Sequence, residues 1–342
     1  MATQGQKSES FHETAPSQFQ ISVRGFADSA SAQRLGQLVG SVIRQISRSI
    51  DLSRLDGVTI AFDYPGALAS IERGFSTSRP LQPTSDEHLV GVAMMVPVLR
   101  NGVVKGHPVF SAPALLPIEN PSSAEFEQAI YMLAHECAHV DDLGIRDRQF
   151  PGVLLQQPVT DMFDGALQLV AEAVWDEYAA CRLSASFAPA QLAAYEEGFC
   201  NVLTNSLDQT NARILAYRTH HDVSRVLREA GHALCEPLRL AAYLYGHADA
   251  LSDRGPLPTV RADEALRSSL HGPFVERMRT HLRQMWETRG SWLSRAVYEP
   301  LKGIAWEVLA TGGLTLERQP EGGLYVSVPH HPESMPADWR IL

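Results

Sequence analysis

The order of apolar and polar positions along the chain predicts a mixed α and β first half and an almost wholly helical second half. β-rich or alternating segments predict strands at 19–23, 58–62, 90–99 and 103–110. Asn101-Gly102 is the pair that a type I′ hairpin turn favours, so we expect the last two strands to form a hairpin. Pro97 indicates that the first arm of this hairpin is an edge strand or contains a bulge. Residues 74–86 and 143–160 are predicted to be loops.

Apolar residues recur at three- and four-residue steps in most of the remaining segments, and this period predicts amphipathic helices. The predicted helices cover 29–50, 122–142, 161–185, 192–202, 223–245, 275–285 and 292–309. Ser122 and Glu125 have the spacing of a capping box at the start of the second helix. We expect a bend at Pro237, a linker at 255–258, and short β-like arms at 314–317 and 324–328.

Composition narrows the possible classes of protein. The chain has 342 residues, 44% hydrophobic and 20% charged, which is typical of a globular protein with one large domain or two smaller ones. A net charge of −10 gives no general attraction to nucleic acid or to anionic membranes. No apolar run approaches the roughly 18 residues of a membrane-spanning helix, and the polar first 18 residues do not resemble a secretory signal. Four scattered cysteines without CxxC spacing favour a reducing compartment, so we expect a cytoplasmic protein.

The 122–142 helix contains the sequence His135-Glu136-Cys137-Ala138-His139, an H-E-x-x-H pattern. On a helix, His135 and His139 project from one face about one turn apart. Two neutral imidazoles placed in this way can bind one zinc ion at roughly 2.0–2.1 Å each. Glu136 points in a neighbouring direction, from which it can reach a water molecule on the metal. The alternative interpretation is two surface histidines on a core helix.

The 161–185 helix offers a candidate third ligand. One stripe of this helix consists of Phe163, Leu167, Val170, Val174, Glu177 and Cys181. An ionised carboxylate on an apolar stripe needs a partner, because burying an unpaired charge is costly. Glu172, the nearby competitor, falls on a row with Gln168 and Asp176 that we expect to be solvated. Glu177 is therefore the candidate ligand, and the alternative is a buried salt bridge to Arg182 or to another arginine.

Two histidines and one glutamate leave a coordination position open, which is typical of a catalytic zinc site rather than a structural one. Such a metal lowers the pKa of a water molecule and polarises a substrate carbonyl. Glu136 would take the proton of the attacking water and deliver it to the departing amine. A structural zinc site is disfavoured because the cysteines are not positioned as ligands.

His135-Glu136-x-x-His139, followed by a helix with Glu177-x-x-Ala180 and Ala185, resembles the zincin metallopeptidases that have a glutamate third ligand. The pattern is most similar to the small intracellular ImmA/IrrE-like group. The resemblance covers residues 55–187. It implies zinc ligands at His135, His139 and Glu177, a general base at Glu136, and an upstream antiparallel sheet whose edge strand holds the substrate.

The sequence and this resemblance together predict an α+β fold with a zincin-like core, composed of a small antiparallel sheet, an active-site helix and a Glu-bearing helix. The predicted division is a disordered tail at 1–18, the core at 19–187, and a mostly helical region at 188–342 that can pack on the core as one unit. The predicted function is zinc-dependent hydrolysis of a peptide or protein substrate. Alternatives are a metal-dependent amidase and a non-catalytic helical binding protein. Candidates for stabilising the oxyanion are Tyr243, Tyr245, His247, His220 and His221.

Overall fold

The computed structural model of the protein describes residues 12–77, 80–83, 91–252 and 259–335. The predicted α+β class is confirmed, with a small sheet near the N-terminus and a helical C-terminal part. The chain forms two compact units, Met1–Gly144 and Ile145–Leu342. The predicted division after residue 187 stays a prediction. Three predicted segments lie wholly or partly outside the described residues. They are residues 1–11 of the predicted tail, residues 78–79 and 84–86 of the predicted 74–86 loop, and the predicted linker at 255–258.

The first unit contains a four-stranded sheet and the helices that pack on it. Its elements are β1 (Gln20–Arg24), α1 (Ser29–Ile46), β2 (Gly57–Ala61), α2 (Tyr64–Ala69), β3 (Ala93–Arg100), β4 (Val103–Ser111), α3 (Ala112–Leu115) and most of α4 (Phe126–Gln149). The strand order is β1-β2-β4-β3, and only β3 and β4 pair in antiparallel fashion. The predicted antiparallel sheet is therefore wrong, because the crossover through α1 makes β1 and β2 parallel.

The predicted hairpin is confirmed. β3 and β4 pair in register from Ala93 with Phe110 to Arg100 with Val103. Asn101 and Gly102 have φ angles of 53° and 78°, the left-handed conformation that both central residues of a type I′ turn adopt. In the described part of the chain β3 is an edge of the sheet, which agrees with the position of Pro97.

Helix α4 packs on this hairpin through Val140, the residue that follows His139. A Cβ atom on Gly106 of β4 would lie 2.7 Å from Cγ2 of Val140 and 3.0 Å from Sδ of Met95, so this approach requires glycine. The carboxylate of Asp141 also accepts a hydrogen bond of 2.8 Å from the backbone N–H of Asp51. These two contacts fix the middle of α4 within the first unit.

The H-E-x-x-H helix begins and ends later in the sequence than predicted, at Phe126 and Gln149. The capping box does not form, because α4 begins at Phe126 and the hydroxyl of Ser123, rather than Ser122, accepts from the N–H of Glu125. The helix continues through 143–149, where a loop was predicted. Its extension is stabilised by burial of Leu143 and by an ion pair of 3.0 Å between the buried Arg146 and Asp176.

The second unit is mainly helical. Its further elements are α5 (Met162–Ser184), α6 (Gln191–His220), α7 (Val223–Leu251), α8 (Val260–Arg267), α9 (Gly272–Glu287), α10 (Glu299–Thr311), and the antiparallel strands β5 (Thr315–Arg318) and β6 (Leu324–Ser327). The last helix was predicted to begin at Trp292, but α10 begins seven residues later, at Glu299. Trp292 lies outside α10, and its ring centroid is 5.0 Å from a ring centroid of Trp175. In the described ranges, no helix has both the length and the apolar character needed to cross a membrane.

Helix α7 passes very close to α5 beside Glu177. A Cβ atom on Gly246 would lie 2.4 Å from the backbone oxygen of Tyr178, the residue that follows Glu177. Only a glycine permits this distance, because real Cβ atoms do not come so near a carbonyl oxygen. The spacing of α5 and α7 within the second unit therefore depends on Gly246.

We expect Gly246→Ala to lower the free energy of unfolding by about 1–3 kcal/mol, because the new methyl group must push α7 away from α5. Thermal or urea unfolding of the full chain measures this loss. Gly303→Ala in α10 is the matched control, since a Cβ there meets nothing within 4 Å. It should be neutral or stabilising by up to about 1 kcal/mol, through helix propensity. Equal stability of the two variants would contradict the close packing of α7 on α5.

Candidate metal centre

The two histidines of the H-E-x-x-H pattern face each other on α4. Their Nε2 atoms are 3.1 Å apart, and the two rings are nearly perpendicular at 89°. Both side chains are largely buried, with His135 8% and His139 7% exposed. Two nitrogens bound tetrahedrally to one zinc ion at roughly 2.0–2.1 Å are about 3.3 Å apart, so the observed spacing suits a shared cation. The same distance suits an N–H···N hydrogen bond between the neutral rings when no metal is bound.

Glu177 of α5 is brought close to this pair. One ligand atom from each of His135, His139 and Glu177 lies within 4.8 Å of the other two. Two imidazole nitrogens and a carboxylate oxygen are a donor set that zinc accepts, and three protein ligands leave a position for water or substrate. The predicted ligands are therefore compatible with one metal ion.

The salt bridge considered for Glu177 also exists in part, and its partner is Arg239 of α7. Nη1 of Arg239 lies 3.5 Å from Oε1 of Glu177, at the limit of a hydrogen bond. Arg239 makes its short bonds, of 2.9 and 2.5 Å, to Glu236. The predicted partner Arg182 instead donates to the hydroxyl of Tyr178 at 2.6 Å. A carboxylate accepts about four hydrogen bonds, so an ion pair with Arg239 and a bond to a metal ion are compatible at Glu177.

Tyr243 of α7 also contacts Glu177. Burial, the charge of Glu177 and a hydrogen bond to Glu177 raise the pKa of Tyr243 well above its ordinary value, against the opposing effect of Arg239. Tyr243 is consequently a neutral phenol that donates to the carboxylate. Groups that hydrogen-bond to a metal ligand fix its orientation. Among the oxyanion candidates, Tyr243 thus has a direct contact with a predicted ligand.

The other oxyanion candidates have different surroundings. The ring of Tyr245 is buried beneath Arg279, whose guanidinium lies 4.2 Å from the ring centroid. His247 is fully buried beside Tyr195, with 5.6 Å between the ring centroids. His220 and His221 occupy the C-terminal end of α6, where His221 adopts the left-handed capping conformation. None of these contacts involves a predicted ligand.

The predicted solvated row of α5 is half-buried and paired. Gln168 is buried and donates to Glu172 at 2.8 Å, and Glu172 also accepts from Arg295 at 3.2 Å. Asp176 pairs with Arg146. The helical period of α5 by itself predicted that this row is exposed to solvent. Arginines outside α5 pair with it instead. Glu172 is therefore held by groups other than the histidines.

Tyr64 is a residue that the sequence analysis missed. It begins α2, is buried, and its hydroxyl has no hydrogen-bond partner among the residues that the structure describes. Burial and, to a smaller extent, the negative charge of Glu136 raise the pKa of this hydroxyl above its ordinary value. Near neutral pH Tyr64 is therefore an uncharged donor in the electrostatic environment of the predicted general base. No periodicity or motif around Tyr64 indicates that its hydroxyl is buried in this environment.

In comparisons with known proteins, the chain matches no family model, no curated protein and no solved structure. The chemistry of the centre rests on its own residues. A buried pair of imidazoles, a nearby carboxylate and the adjoining Glu136 can bind a divalent cation next to a proton acceptor. Such an arrangement suits hydrolysis of a carbonyl compound.

Proposed function

We propose that this protein is a zinc-dependent peptidase of the zincin type, with His135, His139 and Glu177 as metal ligands and Glu136 as the general base. The observation that carries the proposal is the approach of the three ligand atoms to within 4.8 Å of one another. Glu177 lies 38 residues after His139 in the sequence. Zinc is the proposed metal because nitrogen ligands with one carboxylate suit it better than they suit calcium or magnesium, which take oxygen ligands.

Glu136 is the residue that moves protons in this proposal. A bound zinc ion supplies Lewis acidity, which polarises a carbonyl group and acidifies water. Glu136 accepts the proton of the attacking water and gives it to the amine nitrogen as the C–N bond breaks. Because Glu136 is buried, little bulk water competes for this proton. Tyr243 and Arg239 hold the carboxylate of Glu177, and the neutral hydroxyl of Tyr64 is available to donate to a bound substrate.

The hairpin favours a peptide over a small amide as the substrate. In the described part of the chain β3 is an edge strand, and its neighbour β4 packs against α4 at Val140, next to His139. Backbone groups on the outer side of an edge strand can pair with an extended peptide. On β3 these are groups other than the N–H of Leu99, which already donates to the backbone oxygen of Arg73 at 2.8 Å. Pro97 removes one donor from this edge, which limits unwanted pairing with other strands.

Metal analysis combined with a cleavage assay tests the proposal. The purified chain should contain about one zinc ion per molecule. It should cleave casein or members of a peptide library, lose this activity on treatment with 1,10-phenanthroline, and regain it with added zinc. Bound zinc with cleavage of small amides alone would favour the amidase alternative. A chain that binds no stoichiometric metal would contradict the proposal and favour a binding protein.

A further inference from the structure

A second charged cluster lies in the second unit, around the buried Asp249 at the end of α7. Arg283 makes two hydrogen bonds to this carboxylate, from Nε at 2.9 Å and Nη2 at 2.6 Å. Arg279 approaches it at 3.4 Å and Arg182 at 4.0 Å, and the hydroxyl of Tyr178 donates to it at 2.9 Å. We call Arg182, Arg279 and Arg283 the arginine cluster.

The arginine cluster carries more positive charge than the described residues around it neutralise. In the described ranges, Asp249 is the only carboxylate within 4.0 Å of any of the three guanidinium groups. Burial and the charge of Asp249 raise the pKa of Tyr178, so its phenol is neutral. The C-terminal end of α7 adds about half a negative charge. Among the described residues, an excess of about 1.5 to 2 positive charges therefore remains at the cluster, on a chain whose net charge is −10.

Holding Asp249 in place does not account for three arginines. Arg283 alone forms the two-bond fork that satisfies a carboxylate best. Arg279 lies four residues before Arg283 on α9, and like charges at this spacing destabilise a helix. The contact of Arg279 with Asp249 is long, and its Nε has no hydrogen-bond partner among the described residues. Arg279 therefore adds repulsion to the cluster without completing the pairing of Asp249.

The arginines are held in fixed positions and remain open to solvent. The guanidinium of Arg279 stacks on Tyr245, and that of Arg182 lies 4.7 Å from the ring centroid of Trp286. Stacking on aromatic rings orients the planar donor groups before a ligand arrives. The side chains of Arg182, Arg279 and Arg283 are 22%, 30% and 47% exposed. The solvent-exposed N–H groups of the three guanidinium groups can consequently reach a ligand from solution.

We propose that the arginine cluster binds a phosphate group. A phosphate monoester carries about −1.5 to −2 charges at pH 7, which matches the excess charge of the cluster. Its several oxygens can accept from all three guanidinium groups at once. A carboxylate ligand carries one charge, and Asp249 already fills that place. The site uses none of the proposed zinc ligands, so it is independent of the proposed peptidase function.

Measuring the binding of inorganic phosphate to the full chain tests this inference. Metal is removed from the chain first, so that phosphate does not bind to zinc. Sodium phosphate should raise the melting temperature, whereas sodium chloride of equal ionic strength should not. Calorimetric titration with inorganic phosphate should give an affinity that falls at least tenfold in Arg279→Gln and partly recovers in Arg279→Lys. Without phosphate, loss of the stacking contact with Tyr245 lowers the melting temperature of Arg279→Gln and loss of the repulsion from Arg283 raises it, so the phosphate effect is measured against each variant's own phosphate-free melting temperature.

Arg277→Gln on the same helix is the matched control. Arg277 forms a two-bond pair with Glu307, at 2.7 and 2.8 Å, so its loss should leave phosphate binding unchanged. Arg182→Gln provides a second variant from a different helix and should also weaken binding. An absence of phosphate-specific stabilisation, or equal stabilisation of the parent and Arg279→Gln, would overturn the inference. Titration with a phosphoserine peptide identifies the source: tighter binding than inorganic phosphate assigns the group to a protein partner, and equal binding assigns it to a small molecule.

Discussion

Glu136→Gln is expected to reduce peptide hydrolysis by about 10²–10⁴-fold or more, while the zinc content stays near one ion per chain. Glutamine preserves the size of the side chain but cannot accept the proton of the attacking water. The residue is outside the group of three ligand atoms, so metal binding should not change. The measurements are kcat/KM on a cleaved peptide and zinc content by elemental analysis of the same preparation.

Glu127→Gln is the matched control for this variant. Glu127 belongs to the first turn of the same helix and is exposed, so its substitution should leave both activity and zinc content unaltered. Hydrolysis that survives in Glu136→Gln at the parent rate would remove Glu136 from the mechanism. Loss of zinc in Glu136→Gln would show that the residue acts on the metal or on the fold of α4 instead.

Glu177→Ala is expected to weaken zinc binding by more than about 100-fold, because loss of an outer partner of a ligand alone costs about 10–100-fold. Glu172→Ala on the same helix should change the zinc affinity little. Both glutamates accept a contact from an arginine, Glu177 from Arg239 and Glu172 from Arg295, so both variants lose an ion pair. The comparison therefore separates loss of a ligand from loss of a salt bridge.

Competition with a chromophoric zinc chelator measures both affinities, and circular dichroism verifies that each variant is folded. Equal zinc affinities in the two variants would assign Glu177 to the ion pair with Arg239 and remove it from the metal centre. Glu177→Gln offers a milder test, since it keeps an oxygen near Tyr243 but removes the negative charge that the metal needs. We expect its zinc affinity to lie between those of the parent and Glu177→Ala.

Local patterns were sufficient for the features that depend on neighbouring residues alone. The turn at Asn101-Gly102 was predicted because few other residue pairs adopt left-handed φ angles at both positions. The facing of His135 and His139 follows from the helical repeat, which places residues four apart on one side. The predicted start of the 161–185 helix lies within one residue of the observed start of α5 at Met162, where the carboxylate of Asp161 accepts a short-range hydrogen bond from the N–H of Asp164.

Errors arose where distant parts of the chain decide the outcome. Helix α4 extends beyond the predicted end because Leu143 is buried and Arg146 forms an ion pair with Asp176. Asp176 lies outside the 143–160 segment, so the sequence of that segment does not indicate the pair. Trp292 matched the period of the next helix, yet its large ring is buried against Trp175 from outside that helix. The antiparallel sheet, which the resemblance to zincins implied, was wrong because strand direction depends on how α1 connects β1 and β2.

The sequence by itself determined the chemical groups of this protein: the two imidazoles one turn apart, the adjoining carboxylate of Glu136, the hairpin turn and the acidic balance of charge. These follow from residue identity and from helical or strand period, which act over a few positions. Only the tertiary structure decided that Glu177 approaches the histidines, that Arg239 and Tyr243 contact it, and that three arginines gather at Asp249. Such contacts join residues tens of positions apart, and the packing of whole helices sets their distances.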